Sequence, residues 1–309
     1  MKVIFMGTPD FSVPTLEKII EDGHEVIAVI TQPDKPKGRG KEMQAPPVKE
    51  IALAHGIPVY QPKRVKEETF VEVLKELNPD VIVVIAFGQI LSKAILDLPQ
   101  YGCINVHASL LPKFRGSAPI QWSIIEGEKE TGITTMFMDP GIDTGDMLLK
   151  AVIPIEEDET GGSLHDKLSC LGGNLLSDTL HALENGTIVR EKQDDSKSNY
   201  AKMLTKELGH IDFNKPAIEI ERLIRGLNPW PSAYTSLDGK TLKIWRASVI
   251  DTVANGANGE ILEVLKDEIH VKTGNGILAI KELQLEGKKR MTVDAFLRGY
   301  QVTKGTILG

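Results

Sequence analysis

The stretch Cys103-Ile104-Asn105-Val106-His107-Ala108-Ser109 sets a carboxamide and an imidazole two residues apart. Successive side chains of a strand face opposite sides, so Asn105 and His107 share one face and Ile104 and Val106 take the other. Asn is a neutral donor suited to an oxygen that gains negative charge during a reaction. His takes up or releases a proton near pH 7. A histidine merely satisfied at a strand end is the plainer alternative. The pair, however, falls at the C-terminal end of a strand, the edge where open α/β sheets bind ligands.

Two loops add to this pair. Ser109-Leu110-Leu111-Pro112-Lys113-Phe114-Arg115-Gly116 leaves the same strand end. Its Pro and Gly make it stiff enough to form a pocket wall, and Arg115 offers a cation for an anionic group. Beyond the end of the next strand, Asp139, Asp143 and Asp146 sit among Pro140, Gly141 and Gly145. One of these carboxylates is placed to orient His107 and accept a proton, although Asp also serves simply to form turns. Their spacing is not that of a calcium-binding EF-hand. A third loop, 32–47, carries Lys35, Lys37, Arg39 and Lys41 against Asp34 and Glu42. Long loops inside a domain are commonly functional, and basic ones suit phosphate; a solvated insertion is the alternative.

Other chemistries are excluded. The first βα turn is Gly7-Thr8-Pro9-Asp10, with one glycine where a dinucleotide site needs three, and Pro9 lacks an N–H. No GxxxxGK[ST] loop and no GxSxG elbow occurs. The two cysteines, Cys103 and Cys170, form no CxxC pair, which suits a reducing cytoplasm and leaves no zinc framework.

The elements that must position these residues follow from hydrophobic periodicity. Strands are predicted at 2–6, 26–31, 57–60, 81–87, 102–107 and 133–138, with helices at 13–22, 48–55, 66–77, 118–126 and 164–184. The run 81–87 is continuously apolar, as a strand buried on both faces requires. Alternating strands and helices make the first ~190 residues a doubly wound, mostly parallel α/β domain. Residues 193–200 are polar without periodicity, so 191–205 reads as a linker. From about 206 a helix at 216–227 precedes short strands at 241–246, 259–265, 269–273 and 276–282 separated by turn residues, predicting a small β-barrel over 206–309.

Composition agrees. A chain of 309 residues, 41% hydrophobic and 26% charged, is long enough for two cores. The N-terminal stretch lacks a secretion-signal pattern, and no apolar run approaches the ~20 residues of a membrane helix. The net charge of −7 excludes a uniformly basic nucleic-acid binder. It is unevenly placed: residues 1–203 carry 21 basic and 30 acidic side chains, or −9, and residues 204–309 carry 15 and 13, or +2.

The whole length resembles the methionyl-tRNA formyltransferase family. The resemblance rests on GTPDFSVP at 7–14, KPKGRGK at 35–41, AFGQIL at 86–91, NVHASLLPKFRG at 105–116 and DPGIDTGDML at 139–148. It implies a Rossmann-like formyltransferase domain followed by an OB-like barrel, and transfer of a formyl group from 10-formyltetrahydrofolate to the α-amino group of methionyl initiator tRNA. On this resemblance Asn105, His107 and Asp143 are catalytic. Phe87, Gly88, Gln89, Ile90, Leu91, Ser109, Leu110, Leu111, Pro112, Asp139 and Gly141 bind the folate, and Lys35, Lys37, Arg39 and Lys41 meet the tRNA. The enzyme is expected to be a cytoplasmic monomer without a metal. Relatives that formylate a sugar-nucleotide amine or hydrolyse the formyl folate are the alternatives, and a tRNA-binding module without catalysis would need none of the three catalytic side chains.

Overall fold

The computed structural model describes residues 1–37 and 42–309, with the backbone alone for Lys37. The chain forms two compact units. One comprises residues 1–116, 130–153 and 165–200; the other comprises 117–129, 154–164 and 201–309.

The first unit is built on seven strands: β1 (Lys2–Gly7), β2 (Glu25–Ile30), β3 (Val59–Tyr60), β4 (Val81–Ile85), β5 (Cys103–His107), β6 (Glu130–Phe137) and β7 (Met147–Pro154). Their spatial order is β7-β6-β5-β4-β1-β2-β3. β1 to β5 pair in parallel. The order reverses at β1 and β4, and ligand crevices of doubly wound sheets open at the C-terminal ends of such strands. β4 is apolar throughout because it is covered on both faces, and all five of its side chains are buried. Each contributes roughly 1.5–3 kcal/mol relative to exposure. The apolar run predicted to continue to 87 stops at Ile85, because Ala86 turns the backbone into the left-handed region with φ 46°.

Helices α1 (Val13–Glu21), α2 (Pro47–Ala54), α3 (Glu68–Leu77) and the short α4 (Lys93–Leu96) connect the parallel strands. Asn78 ends α3 in the left-handed conformation, φ 47°, ahead of Pro79. On one sheet face Ile4, Met6, Ile30, Ile82 and Val84 pack with Val71 and Leu74 of α3 and Ile95 of α4, and Cys103 joins that cluster. The long helix α6 begins at Gly161 and runs to Glu184, three residues earlier than its apolar pattern suggests.

Two features differ from the sequence reading. β6 runs antiparallel to β5, pairing Ile104 with Phe137 and His107 with Thr134. Alternation of strands and helices cannot reveal this, since the excursion 117–129 before β6 belongs to the other unit. β7 was not anticipated. Its side chains alternate between half-buried and exposed at the sheet's edge, so its sequence MLLKAVIP lacks the run of buried residues that marks β4.

The second unit contains α5 (Pro119–Ile125), α7 (Ala217–Gly226), α8 (Val293–Leu297) and a six-stranded antiparallel sheet. The sheet's strands are β8 (Ala233–Leu237), β9 (Lys240–Ile250), β10 (Ile261–Val264), β11 (Ile269–Lys272), β12 (Ile277–Leu285) and β13 (Met291–Thr292). β9 and β12 run on well past their expected ends at 246 and 282 and form its longest ladder. Ile220 and Ile224 of α7 and Phe296 of α8 pack with Ile244, Val271, Leu278, Ile280 and Leu283 into a core of its own.

The two thiols are predicted to differ in reactivity. Burial pushes the Cys103 thiol up to about 12, so almost no thiolate exists at pH 8. Cys170 is exposed. Native protein treated with iodoacetamide at pH 8 should take up one equivalent, at Cys170, and a second only in denaturant; rapid native labelling of Cys103 would contradict this packing.

Candidate functional site

The alternation of β5 sets Cys103, Asn105 and His107 on one face. Cys103 sits deep in the apolar cluster, Asn105 is half-buried, and His107 is 6% exposed at the strand's end. Because β6 runs the other way, residues 138–146 start from the opposite end of the sheet and fold back along this face. That return places Asp143 against both side chains. Asp143 Oδ1 accepts from Asn105 Nδ2 at 3.3 Å, and Oδ2 accepts from the Gly116 backbone N–H at 2.8 Å. Oδ2 also lies 3.7 Å from His107 Nδ1. That is too long for a hydrogen bond and close enough for an ionic contact with a protonated ring.

The other ring nitrogen settles the tautomer. His107 Nε2 is 2.9 Å from the Phe114 carbonyl oxygen. A carbonyl only accepts, so Nε2 carries the hydrogen. Nδ1 is then the atom at which His107 gains or loses a proton, and it faces Asp143.

The backbone around this cluster is unusual. Phe114 (φ 58°) and Asp143 (φ 54°) are both left-handed without being glycine, as is Ala86 (φ 46°) at the end of β4. Each costs on the order of 1–3 kcal/mol and persists because neighbouring contacts fix it. Gly145 serves a different constraint. A Cβ there would lie 1.8 Å from the Phe137 carbonyl oxygen, so the returning loop closes only over glycine.

Residues 190–199, which after Arg190 fall in the segment expected to be a linker, lie against both loops. Arg190 Nε donates to Asp146 Oδ2 at 3.0 Å, and its guanidinium covers the Phe137 ring at 4.5 Å. Glu191 and Met147 exchange backbone hydrogen bonds at 2.8 and 2.9 Å. Gln193 is 5% exposed. Its Nε2 donates to the carbonyls of Asp143 and Gly145, both at 2.8 Å, and its Oε1 accepts from Arg115 Nε at 3.0 Å. Arg115 Nη2 donates to Asp195 Oδ1 at 2.8 Å. Asn199 Oδ1 accepts from the Phe114 N–H, and its carbonyl accepts from the Arg115 N–H. Arg115 is therefore engaged by Gln193 and Asp195 rather than presented to an anionic ligand, as its position in the sequence suggested. Sequence reading missed Gln193 and Asn199, because polar residues without periodicity look the same whether they face solvent or satisfy buried backbone.

The residues expected to bind folate fall into two groups. Phe87, Leu91 and Leu111 are core side chains. Gln89 accepts from the Val65 N–H at 2.7 Å and donates to the Pro62 carbonyl at 3.2 Å. Ser109 Oγ donates to the Lys113 carbonyl at 2.7 Å. Asp139 Oδ1 accepts from the Gly141 N–H at 3.0 Å and from Thr144 Oγ1 at 2.6 Å, bracing the loop. These side chains shape backbone. By contrast, Ile90 is 73% exposed, Leu110 and Pro112 are half-buried, and Gly88 is a left-handed turn at φ 81°; Ile142, next to the expected Gly141, is 55% exposed. Apolar side chains and backbone amide edges of this kind suit a flat heterocycle.

Of the basic residues, Lys35 is exposed on a small hairpin, Lys35–Lys37 against Glu42–Gln44; the side chain of Lys37, and Arg39 and Lys41 altogether, lie outside the described residues. The hairpin's base is fixed where Asp34 accepts from Lys49 Nζ at 2.8 Å and Gln61 Nε2 at 2.7 Å. The Gln61 hydrogen bond, then Lys49, hold the Asp34 carboxyl below its ordinary value. Among the described residues no group of His, Cys, Asp and Glu is arranged to hold a metal ion, and no helix is long and apolar enough to cross a membrane.

A mostly parallel sheet with a polar cluster at its ligand edge and a returning acidic loop is arranged as a group-transfer site would need. Residues 1–180 match the formyl transferase family and residues 203–301 match the formyl transferase C-terminal domain, so the chain belongs to the formyl transferase family. Within it, the chain is 59% identical over 306 residues to a methionyl-tRNA formyltransferase of Agathobacter rectalis, covering 99% of both chains. It is 55% identical over 309 residues to that of Caldanaerobacter subterraneus subsp. tengcongensis, covering 100% of both. Among solved structures, an N-formyltransferase from Helicobacter canadensis, in complex with folinic acid and dTDP-3-aminofucose, shares the fold with a TM-score of 0.68 at 21% identity, over 91% of this chain and 99% of that one.

The close approach at Gly145 is directly testable. Gly145→Ala forces the loop off Phe137, and overpacking of this kind costs about 1–3 kcal/mol. Urea unfolding should register that loss, and a wild-type midpoint would show that the loop has room for a methyl.

Proposed function

We propose that this chain transfers a formyl group from 10-formyltetrahydrofolate to the α-amino group of methionyl initiator tRNA, with Asn105, His107 and Asp143 carrying the chemistry. The single observation that supports this most strongly is the meeting of Asn105, His107 and Asp143 at the sheet's ligand edge. The acceptor follows from full-length identities of 51–59% to methionyl-tRNA formyltransferases. The folate follows from family membership and from the suitability of the exposed Ile90 and Ile142 on loops beside the cluster.

When bound, the folate supplies a formyl group on nitrogen, already activated for transfer. The acceptor needs little activation. A free α-amino group has a pKa of about 7.7–8.0, so much of it is neutral near pH 7. Asn105 has two amide hydrogens. One is directed at Asp143, and the other donates to the formyl oxygen as it gains negative charge. His107 acts at Nδ1. It takes the proton that the amine sheds on forming its new bond, and the adjacent Asp143 carboxylate stabilises the imidazolium that results. The same proton is then available to the nitrogen that leaves. Nε2–H, held by the Phe114 carbonyl, keeps the ring in place through the cycle.

Ser109, Leu110, Leu111 and Pro112, with Phe87 to Leu91, Asp139 and Gly141, hold the folate largely through backbone groups. Lys35, Lys37, Arg39 and Lys41 contact the acceptor stem. In the second unit, Arg290 and Lys243 flank the Trp245 ring at 4.8 and 5.7 Å, a basic and aromatic patch suited to RNA. The same reading carries a cytoplasmic, monomeric enzyme that needs no metal.

The deciding assay offers labelled 10-formyltetrahydrofolate to methionyl-tRNA, to a sugar-nucleotide amine and to water. Product on tRNA is expected, and product only on the sugar or as formate would overturn the reading. His107→Ala should lower turnover at least a hundredfold while folate binding persists; unchanged turnover would remove His107 from the chemistry. Lys35→Ala and Arg39→Ala should weaken use of methionyl-tRNA most at low salt, with the gap to wild type narrowing as salt rises, and an equal loss with a small amine acceptor would argue against a role at the RNA.

A further inference from the structure

The segment 190–199 belongs to the first unit and braces its functional edge. Within ten residues it contacts the returning loop through Arg190 and Gln193, the start of β7 through Glu191, and the 113–116 loop through Gln193, Asp195 and Asn199. These are the loops that supply Asp143, the Gly116 N–H that holds its carboxylate, and the Phe114 carbonyl that holds His107. Among the described residues of this segment, Gln193 has side-chain hydrogen bonds to both loops at once.

Its chemistry leaves one arrangement. The carbonyls of Asp143 and Gly145 only accept, so the Gln193 amide nitrogen must face them, and both of its hydrogens are used. Arg115 Nε only donates, so the amide oxygen must face Arg115. No charged side chain of similar length supplies two donors and an acceptor at these places: a glutamate would oppose two carbonyl oxygens, and a lysine would lose the acceptor. The Asp143 carbonyl belongs to a residue held at φ 54°, a conformation that needs an external anchor. Gln193 supplies that anchor from a position 5% exposed, where water cannot easily take its place.

We infer that Gln193 is a positioning residue for the reaction: by holding the backbone of Asp143 and Gly145 against Arg115, it sets the place of the Asp143 carboxylate beside His107 Nδ1. This inference rests on the formyl-transfer reading above. Gln193 itself touches no substrate. It acts through Asp143, and a displacement of about 1 Å at a reacting group lowers turnover by up to a hundredfold.

The test is a double-mutant cycle read by kinetics, with wild-type enzyme assayed in parallel on methionyl-tRNA. If wild type forms no formyl-methionyl-tRNA, the functional reading fails before Gln193 is examined. With wild type active, Gln193→Ala should lower kcat ten- to a hundredfold, with KM for folate and for tRNA within threefold. In an Asp143→Asn background, where the carboxylate charge is already gone, Gln193→Ala should cost less than a further threefold. Three results would overturn the inference: kcat within twofold of wild type, a loss carried by KM, or the same fold-loss in the Asp143→Asn background as alone. If Gln193→Ala fails to fold, the same readings are taken on Gln193→Met, which keeps the volume and removes the hydrogen bonds; failure of both to fold would assign Gln193 to stability instead.

Discussion

One carboxylate organises this molecule's functional edge. Asp143 ties its own returning segment to the strand at Asn105 and His107 and to the loop at Gly116, 27 to 38 residues away in the chain. A largely buried charge is tolerated only with donors around it. Asp143 has them, from an amide side chain and from a backbone N–H, and a protonated His107 ring adds an ionic contact. Much else follows from bringing it there. β6 must run antiparallel so that its following loop returns along the correct face. Gly145 must lack a side chain so that the loop closes on Phe137. The segment 190–199 must bind the loop from outside.

The site is organised in two layers. Asn105 and His107 stand on a strand, where the backbone ladder fixes their direction, so their spacing alone announces a shared face. Asp143 stands on a loop, where no ladder exists and direction must be imposed by hydrogen bonds to its carbonyl and carboxylate. On the proposed reading, a rigid element carries the groups that meet the substrate, and a loop carries the group that tunes them, provided other residues hold that loop still.

The parts legible in the sequence are those governed by a local period. The apolar run of β4, the two-residue step from Asn105 to His107 and the stop at Asn78-Pro79 each depend on neighbours a few residues away. The direction of β6 depends on where 117–129 goes, which is not local. Gln193 is invisible for a related reason: its three partners lie at 115, 143 and 145, and nothing in KQDDSKSN distinguishes a side chain that satisfies buried backbone from one that meets water. Arg115 misleads in the opposite direction, since a cation in a stiff loop beside a ligand edge invites an anion, yet it is turned toward Gln193 and Asp195. In the second unit β9 and β12 overran the ends read from the sequence, because their last residues are held by the ladder the two strands form with each other, a pairing between distant segments.

The left-handed backbone at Ala86, Phe114 and Asp143 gathers conformational stress around the Asn105, His107 and Asp143 cluster rather than dispersing it. Glycine or asparagine accepts that conformation more readily, so these are places where a more heat-resistant protein is easy to obtain. They are also places where relaxed backbone would let His107 and Asp143 drift apart. Selection for thermal endurance alone would therefore draw replacements to these three positions and return a sturdier, slower enzyme, whereas endurance gained in the separate core of the second unit carries no such penalty for the site.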